Sequence, residues 1–221
     1  MGGNRTGTPS GERAKPANYY AMVLNTRIRG AWERLMAPIG RGLGRAGISP
    51  NAVTIGGVLI QAGAAALILD GRLLAAGLVA TVAAFADAFD GAVAKTQGRT
   101  SKFGAVLDST TDRLSDALFF VPLAWLYGVS PDIAARDEPW VAALALVTLV
   151  AAFLVSYVKA RAESLGFECD VGIAERAERL IIMILGLIFD LVPLALAVLA
   201  SLSAVTLVQR LSHVSAQARA R

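Results

Sequence analysis

Two long stretches of the chain, residues 51–69 and 139–158, contain no charged side chain. A helix needs about 20 apolar residues to cross the ~30 Å hydrocarbon core of a membrane, and both stretches have that length. Because lipid offers the backbone no hydrogen-bond partner, an uncharged run of this length is stable there as a helix. The composition agrees, since 55% of the residues are hydrophobic and the mean hydropathy is +0.57. These features are typical of an integral membrane protein and exclude an ordinary soluble domain.

Short polar segments separate these two runs from four further apolar segments. The sequence therefore predicts an all-α integral membrane protein with six transmembrane helices, over residues 51–69, 73–95, 104–128, 139–158, 175–190 and 191–211. A basic amphipathic segment before them is typical of a juxtamembrane helix that lies on the membrane surface. The predicted organisation is a disordered N-terminal tail (1–19), the amphipathic juxtamembrane segment (20–48), a six-helix membrane domain (49–213) and a basic C-terminal tail (214–221).

The chain carries a formal net charge of +4, and its Lys and Arg residues are distributed unevenly among the predicted loops. With the N-terminus in the cytosol, eighteen of them fall on the cytosolic side and two, Arg72 and Arg136, on the other. This asymmetry follows the positive-inside rule. It predicts a multi-pass plasma-membrane protein with both termini in the cytosol. Nucleic-acid binding is not expected, because it would need a basic groove with stacking aromatic residues, and the sequence shows none.

Four aspartates interrupt the second and third apolar segments. Asp87 and Asp90 are three residues apart, and Asp108 and Asp112 are four apart. On a helix each spacing places both side chains on one face, with Cβ atoms about 5–6 Å apart. A carboxylate inside a membrane helix costs about 2.5–3.5 kcal/mol, and neighbouring carboxylates also repel each other. A divalent cation removes both penalties, so the pattern predicts a site for Mg²⁺, Mn²⁺ or Ca²⁺ between two helices, at their cytosolic ends.

The stretch that holds these acids resembles the signature of the CDP-alcohol phosphotransferases, Asp-x2-Asp-Gly-x2-Ala-Arg-x8-Gly-x3-Asp-x3-Asp. The matching positions are Asp87, Asp90, Gly91, Ala94, Gly104, Asp108 and Asp112. Lys95 stands where the family usually has Arg, which keeps the charge but loses the bidentate fork of the guanidinium. A signature with so many fixed positions is highly specific to its family.

This resemblance implies a reaction and a set of roles. In the family an alcohol attacks the lipid-side phosphorus of a CDP-linked lipid, here CDP-diacylglycerol, and CMP leaves. Two divalent metals, Mg²⁺ or Mn²⁺, are implied, with Asp87, Asp90 and Asp108 as ligands. Asp112 is the family's candidate general base and a further metal ligand. Asp116, one helical turn further along, is interpreted as a structural or supporting residue.

A second group of residues is expected to contact the CDP-lipid. Gly91 and Gly104 would let the nucleotide approach the backbone, while Lys95 and Ser101 offer a cation and a hydroxyl. The segment Pro50-Asn51-Ala52-Val53-Thr54 resembles another nucleotide-contact segment of the family, and the N-terminus of a helix suits phosphate. The alternative for this segment is an ordinary helix cap.

Basic side chains lie near the cytosolic ends of the last three predicted helices. They are Lys159 and Arg161 after the fourth, Arg176 and Arg179 at the start of the fifth, and Arg210 at the end of the sixth. Positive-inside bias alone would produce part of this pattern. If these side chains converge beside the metals, they would instead bind an acceptor alcohol that carries its own phosphate. The residues by themselves leave both interpretations open.

Across most of residues 31–213 the chain is similar to the phosphatidylinositol-phosphate synthases of actinobacteria. The stretches that carry the similarity are residues 37–41, 103–108, 156–163 and 175–180. In that group the acceptor is inositol 1-phosphate. The similarity implies that Lys159, Arg176 and Arg210 contact its phosphate and that the protein is a homodimer.

Three alternative functions compete with this interpretation. Within the family, a phosphatidylglycerophosphate synthase uses glycerol 3-phosphate, which is also a phosphate monoester. A cation transporter would also carry acids in its membrane helices, but a pore should have polar groups through the depth of the bilayer. A non-catalytic lipid-binding scaffold gives no reason for four acids at this spacing.

Overall fold

The computed structural model describes residues 38, 42, 45–97, 101–130, 138–173 and 176–220; the side chains of residues 50, 88 and 90–97 lie outside this description. The described ranges contain helices and no strand, as an all-α protein requires. The helices are α1 (Pro50–Leu69), α2 (Leu73–Gln97), α3 (Lys102–Gly128), α4 (Pro139–Ser164), α5 (Arg176–Ile188) and α6 (Val192–Ala220). Most of the predicted juxtamembrane segment, residues 20–48, lies outside the described residues.

Helices α4 and α6 extend furthest beyond the spans that the sequence predicted. Helix α4 continues past residue 158 to Ser164, so Lys159 and Arg161 belong to the helix and do not follow it. Helix α6 continues past residue 211 to Ala220, so the segment predicted as a C-terminal tail is helical up to that residue. The prediction ended each span where charged residues begin, whereas a helix can continue into water, where charged side chains are solvated.

Two serines determine where α1 and α3 begin. The Ser49 Oγ accepts a hydrogen bond from the Ala52 amide at 3.2 Å, and the Ser101 Oγ accepts one from the Gly104 amide at 2.9 Å. Each serine is therefore an N-cap, which typically contributes about 1 kcal/mol to helix stability. Ser49 directly precedes the segment 50–54 and Ser101 lies within the signature, so both caps also fix the positions of residues that were predicted to contact the nucleotide.

The six described helices form a ring in which each packs mainly against two others, in the cyclic order α1, α2, α5, α6, α4 and α3. Glycines allow the closest approaches. A Cβ on Gly77 of α2 would lie 2.7 Å from the Ile188 Cγ1 of α5, and one on Gly186 would lie 2.5 Å from the Ala195 Cβ of α6. Small residues at such contacts are typical of helices that pack in membranes. The interior is filled mainly by large apolar side chains, among them Ile68, Leu123, Leu126, Met183, Leu187, Leu196 and Leu199.

Three of the described helices are long and apolar enough to cross a membrane: Asn51–Leu69, Pro139–Ser164 and Val192–Ala220. Helix α2 has a shorter apolar part, Leu73–Asp87. Helix α5 has 13 residues and is therefore about 20 Å long, which is less than the hydrocarbon thickness. The protein is an all-helical membrane protein, as predicted, and the number of six spans stays a prediction.

Candidate active site

Three of the four predicted metal ligands come together between α2 and α3. Asp87 lies in the second half of α2, and Asp108 and Asp112 lie one turn apart on α3. One carboxylate oxygen from each of the three lies within 4.8 Å of the others. Asp90 follows Asp87 by about one turn of α2, but its side chain is outside the described residues. The name acid cluster is used below for Asp87, Asp108 and Asp112.

Helix α1 brings the two acid-bearing helices together, because it packs against both of them. A Cβ on Gly57 would lie 3.6 Å from the Ala86 Cβ and 3.8 Å from the Asp87 amide nitrogen, so α2 crosses α1 at its first signature acid. Near its start, α1 meets α3, where the Asn51 Oδ1 would lie 3.7 Å from a Cβ on Gly104. The small residues of α1 therefore determine how closely the acids of α2 and α3 approach.

The acid cluster also contacts a cation of the protein's own. Arg176, the first residue of α5, donates hydrogen bonds to both carboxylate oxygens of Asp87, at 2.6 and 3.2 Å. Its Nη1 also lies 3.0 Å from the Asp112 Oδ1. The sequence predicts Arg176 as an acceptor-phosphate contact but does not predict this pairing, because no local spacing relates residue 176 to residues 87 and 112.

The chemistry of the acid cluster fits a divalent metal. Its donors are carboxylate oxygens, which Mg²⁺ and Mn²⁺ prefer. The Asp112 Oδ1 is buried and has no hydrogen-bond partner, although the Arg176 guanidinium is near it. A buried carboxylate oxygen without a hydrogen bond is costly, and a metal ion would satisfy it. The residues that the structure describes therefore suit the metal that the sequence predicted.

Part of the predicted CDP-lipid site lies at the adjoining starts of α1 and α3. A Cβ on Gly104 would lie 3.1 Å from the Ser101 Oγ as well as 3.7 Å from the Asn51 Oδ1, so the glycine keeps this space open. In the first turn of α1, Ala52 is exposed, Val53 is half-buried and Thr54 is buried. Of the remaining predicted contacts, the side chains at positions 50, 91 and 95 lie outside the described residues.

A polar cavity of about 280 Å³ opens beside the acid cluster. Four of the five predicted acceptor contacts line it, and they come from α4, α5 and α6: Lys159, Arg176, Arg179 and Arg210. Asp112 lines it as well. This space is called the cation cavity below. Arg161 is exposed on α4 and is not among the lining residues, so the structure does not bring this predicted contact to the cavity.

The sequence does not predict four further polar lining residues, namely Ser109, Arg113, Ser156 and Glu163. Ser109 and Arg113 are four residues apart on α3 and lie beside signature acids in the chain, so helical spacing could have identified them. Ser156 and Glu163 gave no such signal, because their position depends on which face of α4 packs towards α3.

Arg179 is a buried cation in the wall of the cation cavity. Its Nη2 lies 3.2 Å from the Asp116 Oδ2, and the two side chains are only 5% and 14% exposed. The Nε of Arg179 is buried without a hydrogen-bond partner. Asp116 therefore compensates a buried charge, which agrees with its interpretation as a structural or supporting residue. The contacts of Asp112 with Arg176 and of Asp116 with Arg179 link α3 to α5 at successive turns.

Arg210 is held in place by backbone groups. Its Nε donates to the Val171 carbonyl at 2.9 Å and its Nη1 donates to the Val155 carbonyl at 2.7 Å, which ties α6 to α4 and to the loop after it. These bonds leave Nη2 for a ligand. Gly172 makes the arrangement possible: its φ is +140°, and a Cβ there would lie 2.5 Å from the Thr206 Cγ2.

Lys159 has acidic partners at the rim of the cavity. Its Nζ lies 2.5 Å from the Asp170 Oδ1 and 3.5 Å from the Glu163 Oε1. The side chain of Gln217 holds the loop that carries Asp170, since it accepts from the Glu168 amide at 3.0 Å and donates to the Glu168 carbonyl at 2.6 Å. The hydrogen bond from Lys159 holds the pKa of the Asp170 carboxyl below its ordinary value, so Asp170 is ionised at neutral pH.

The fold, the acid cluster and the adjoining cation cavity define a class of enzyme. The sequence model of the CDP-alcohol phosphatidyltransferase family matches residues 47–209, and the chain belongs to that family. This membership in a family of transferases disfavours the transporter and scaffold alternatives.

Two individual relatives are similar to this chain over most of their length. Phosphatidylinositol phosphate synthase of Mycobacterium tuberculosis is 41% identical over 196 residues, which cover 84% of this chain and 88% of the relative. Archaetidylinositol phosphate synthase of Pyrococcus horikoshii is 38% identical over 186 residues, covering 84% and 93%.

Solved structures of the mycobacterial enzyme are also similar. Its crystal structure with CDP-DAG bound matches with a TM-score of 0.74 at 38% identity, covering 82% of this chain and 94% of that one. Its complex with manganese and citrate matches with a TM-score of 0.72 at 39% identity, covering 81% and 88%.

Proposed function

We propose that the protein transfers the phosphatidyl group of CDP-diacylglycerol to the hydroxyl of inositol 1-phosphate, giving phosphatidylinositol phosphate and CMP. The observation that carries this proposal is a carboxylate cluster directly beside a cation-lined cavity. Asp112 belongs to both, and Arg176 lines the cavity and contacts the cluster. Relatives named phosphatidylinositol phosphate synthase and a similar structure with CDP-DAG bound support the same pair of substrates.

Asp87, Asp108 and Asp112 would hold the divalent metal, together with Asp90 from the family signature. We propose two ions of Mg²⁺ or Mn²⁺ per active site, a number that the family resemblance implies. The manganese complex of the mycobacterial enzyme supports the use of a divalent metal. When bound, the metal supplies positive charge against the pyrophosphate and against the charge that develops on the leaving oxygen.

Asp112 is proposed as the general base. Among the three acids of the cluster, Asp112 alone lines the cation cavity, which supports its contact with an acceptor hydroxyl there. The hydroxyl oxygen bonds to the lipid-side phosphorus, and its proton moves to the Asp112 carboxylate. The bond between that phosphorus and the CMP oxygen breaks, and CMP leaves with the electron pair.

The cation cavity would hold the phosphate of the acceptor. Charge-assisted hydrogen bonds to phosphate are among the stronger contacts that proteins make, and five cationic side chains line this small space. The backbone hydrogen bonds of Arg210 use its Nε and Nη1, so its Nη2 can contact the phosphate. Lys159 can exchange its exposed partner Asp170 for a phosphate oxygen. A polar space of this kind suits a small phosphorylated alcohol better than an acyl chain.

The nucleotide part of CDP-diacylglycerol is proposed to lie where the signature segments meet. Asn51, Ser101 and Gly104 border that space, and the N-terminal end of the α1 dipole carries partial positive charge that suits phosphate. The other proposed contacts come from the family signature and from the segment at the start of α1: Pro50, Ala52, Val53, Thr54, Gly91 and Lys95.

The proposed setting is a homodimer in the plasma membrane, with six spans per chain and with the active site and both termini in the cytosol. The distribution of Lys and Arg supports this orientation. It is tested by a single cysteine near residue 98 in a Cys169-free protein. A membrane-impermeant thiol reagent should label this cysteine in permeabilised cells, and labelling in intact cells would contradict the orientation.

An acceptor panel tests the reaction. Purified protein, CDP-diacylglycerol and Mg²⁺ are combined with inositol 1-phosphate, glycerol 3-phosphate or inositol, and the release of CMP is measured. We expect the fastest release with inositol 1-phosphate and none from the Asp108→Asn variant. Faster release with glycerol 3-phosphate would favour a phosphatidylglycerophosphate synthase. Faster release with unphosphorylated inositol would contradict a phosphate site in the cation cavity.

A further inference from the structure

We infer that Arg176 is a switch between the two halves of the active site: it occupies the acid cluster until a divalent metal displaces it, and it then contacts the acceptor phosphate. This rests on the proposed function, since it gives an order to binding at that site. In this order the metal binds first, and the acceptor meets a cation that the metal has released.

The contacts of Arg176 make it a competitor of the metal. Its guanidinium engages both oxygens of Asp87, at 2.6 and 3.2 Å, and lies 3.0 Å from the Asp112 Oδ1. It thus bridges the α2 and α3 sides of the cluster, as a metal ion would. A metal ion would need the same carboxylate oxygens that Arg176 already engages. Two cations at this distance also repel each other, so the metal ion and the Arg176 guanidinium exclude each other from the cluster.

Two of the other three arginines that line the cavity have partners outside the acid cluster. Arg179 pairs with Asp116, and Arg210 donates to two backbone carbonyls. Metal binding leaves those contacts intact.

The third of these arginines, Arg113, donates to the Ser109 carbonyl at 2.6 Å and lies 3.8 Å from the Asp112 Oδ2. Arg176 differs because the partners that the structure gives it, Asp87 and Asp112, are acids of the cluster. Arg176 is therefore the cavity arginine with the shortest contacts to the cluster, and its availability depends most on the metal.

Displacement needs only a movement of the side chain. The backbone of α5 is held against α2 by the close contact between Gly77 and Ile188, and this contact sets the register that brings Arg176 opposite Asp87. The Arg176 side chain also lines the cation cavity, so it reaches both places from one backbone position. Its long stem allows the guanidinium to swing from the carboxylates towards an acceptor phosphate.

Two consequences follow. Without metal, the Arg176 guanidinium compensates part of the negative charge of the half-buried acid cluster. With metal, the released guanidinium raises the affinity for the acceptor phosphate. By thermodynamic reciprocity, the acceptor must then raise the affinity for the metal by the same factor.

The experiment measures manganese affinity in purified protein that has been stripped of metal with a chelator, by calorimetry or by the electron paramagnetic resonance of free Mn²⁺. Arg176→Gln removes the competing guanidinium, and we expect it to bind Mn²⁺ about 10- to 100-fold more tightly than the wild type. Arg176→Lys, which keeps the charge but loses the bidentate fork, should lie between the two. The matched control is Arg219→Gln, which removes an exposed charge at the end of α6 and should change the affinity less than twofold.

A second measurement uses the wild-type protein and therefore does not depend on how the variants fold. Saturating inositol 1-phosphate should tighten Mn²⁺ binding about fivefold or more, and this gain should shrink in Arg176→Gln. The inference would be overturned if Arg176→Gln bound Mn²⁺ no more tightly than the wild type. It would also be overturned if inositol 1-phosphate tightened Mn²⁺ binding equally in both proteins. Neither measurement involves CDP-diacylglycerol or turnover, so this failure is distinct from an absence of CMP release in the acceptor panel.

Discussion

The acid cluster and the cation cavity share a wall, but the chain builds them in different ways. The acids come from α2 and α3, which follow each other in the sequence, and two of them lie at a spacing of one helical turn. The four predicted cations come from α4, α5 and α6, and they meet only where these helices converge on one cavity. A site formed by helices that are consecutive in the chain can be recognised from the spacing of its residues. A site formed by helices that are far apart in the chain shows no such spacing.

The two regions also differ in how their charges are satisfied. The acid cluster gathers like charges, and its protein partner Arg176 leaves the buried Asp112 Oδ1 without a hydrogen bond. In the cation cavity, Arg179, Arg210 and Lys159 have partners already: an acid, two carbonyls and an exposed carboxylate. The cluster therefore needs a cation from outside, while the cavity must exchange partners when it binds a ligand. Substitutions in the cluster should abolish activity, and those in the cavity should have graded effects.

The largest expected effect is in the acid cluster. Asp108→Asn should lower turnover by about a thousandfold or more, because a metal contributes several kcal/mol to the stabilisation of the transition state. Initial rates of CMP release would measure it, with Asp70→Asn, in the turn between α1 and α2, as a matched control that should behave like the wild type. Full activity of the wild-type enzyme in excess chelator would show that no metal is needed.

The second largest effect is expected for the buried ion pair of Asp116 and Arg179, which lines the cation cavity. Asp116→Asn leaves the Arg179 charge uncompensated, so we expect a loss of about 3 kcal/mol in the free energy of unfolding. Thermal unfolding of the purified protein would measure it, and Glu178→Gln, an exposed change on the same helix as Arg179, is the control. Equal stability of Asp116→Asn and the control would mean that the pair does not hold α3 against α5.

A smaller and more selective effect is expected for the cations. Arg210→Gln should raise the KM for inositol 1-phosphate by about 10- to 150-fold, since a charge-assisted contact contributes about 1.5–3 kcal/mol. The KM for CDP-diacylglycerol should change far less. Arg161→Gln is the matched control, because Arg161 is exposed outside the cavity. An equal change in both Michaelis constants would contradict a separate acceptor site, and a large effect of Arg161→Gln would restore Arg161 to that site.

The smallest effect is expected for Asp170, which pairs with Lys159 at the rim of the cation cavity. Asp170→Asn frees Lys159 and should lower the KM for inositol 1-phosphate about two- to fivefold at pH 7, the range of an exposed ion pair. Because the pKa of Asp170 is lowered in the folded protein, its contact with Lys159 is present above the ordinary value and is lost as the pH falls through the lowered one. The difference between variant and wild type should therefore vanish in acid. A difference that persists there would have another cause.

The sequence by itself determined the class of fold and the chemistry at the centre. Uncharged runs of membrane length dictate helices, because lipid cannot pair the backbone. The spacing of Asp87, Asp108 and Asp112, matched to a family signature, predicted a metal cluster, and the structure brings those three acids together. Both conclusions depend on interactions within one helix or between neighbours in the chain, which is the range over which periodicity carries information.

Only the tertiary structure decided which cations belong to the site and what they contact. Lys159 and Arg161 are two residues apart on α4, yet the first lines the cavity and the second is exposed, because only one face of that helix is turned inward. Arg176 reaches Asp87 because Gly77 lets α5 approach α2 in one register. The physical reason is that contacts between distant helices depend on how their surfaces pack, and packing is a property of the whole ring of helices rather than of any stretch of the chain.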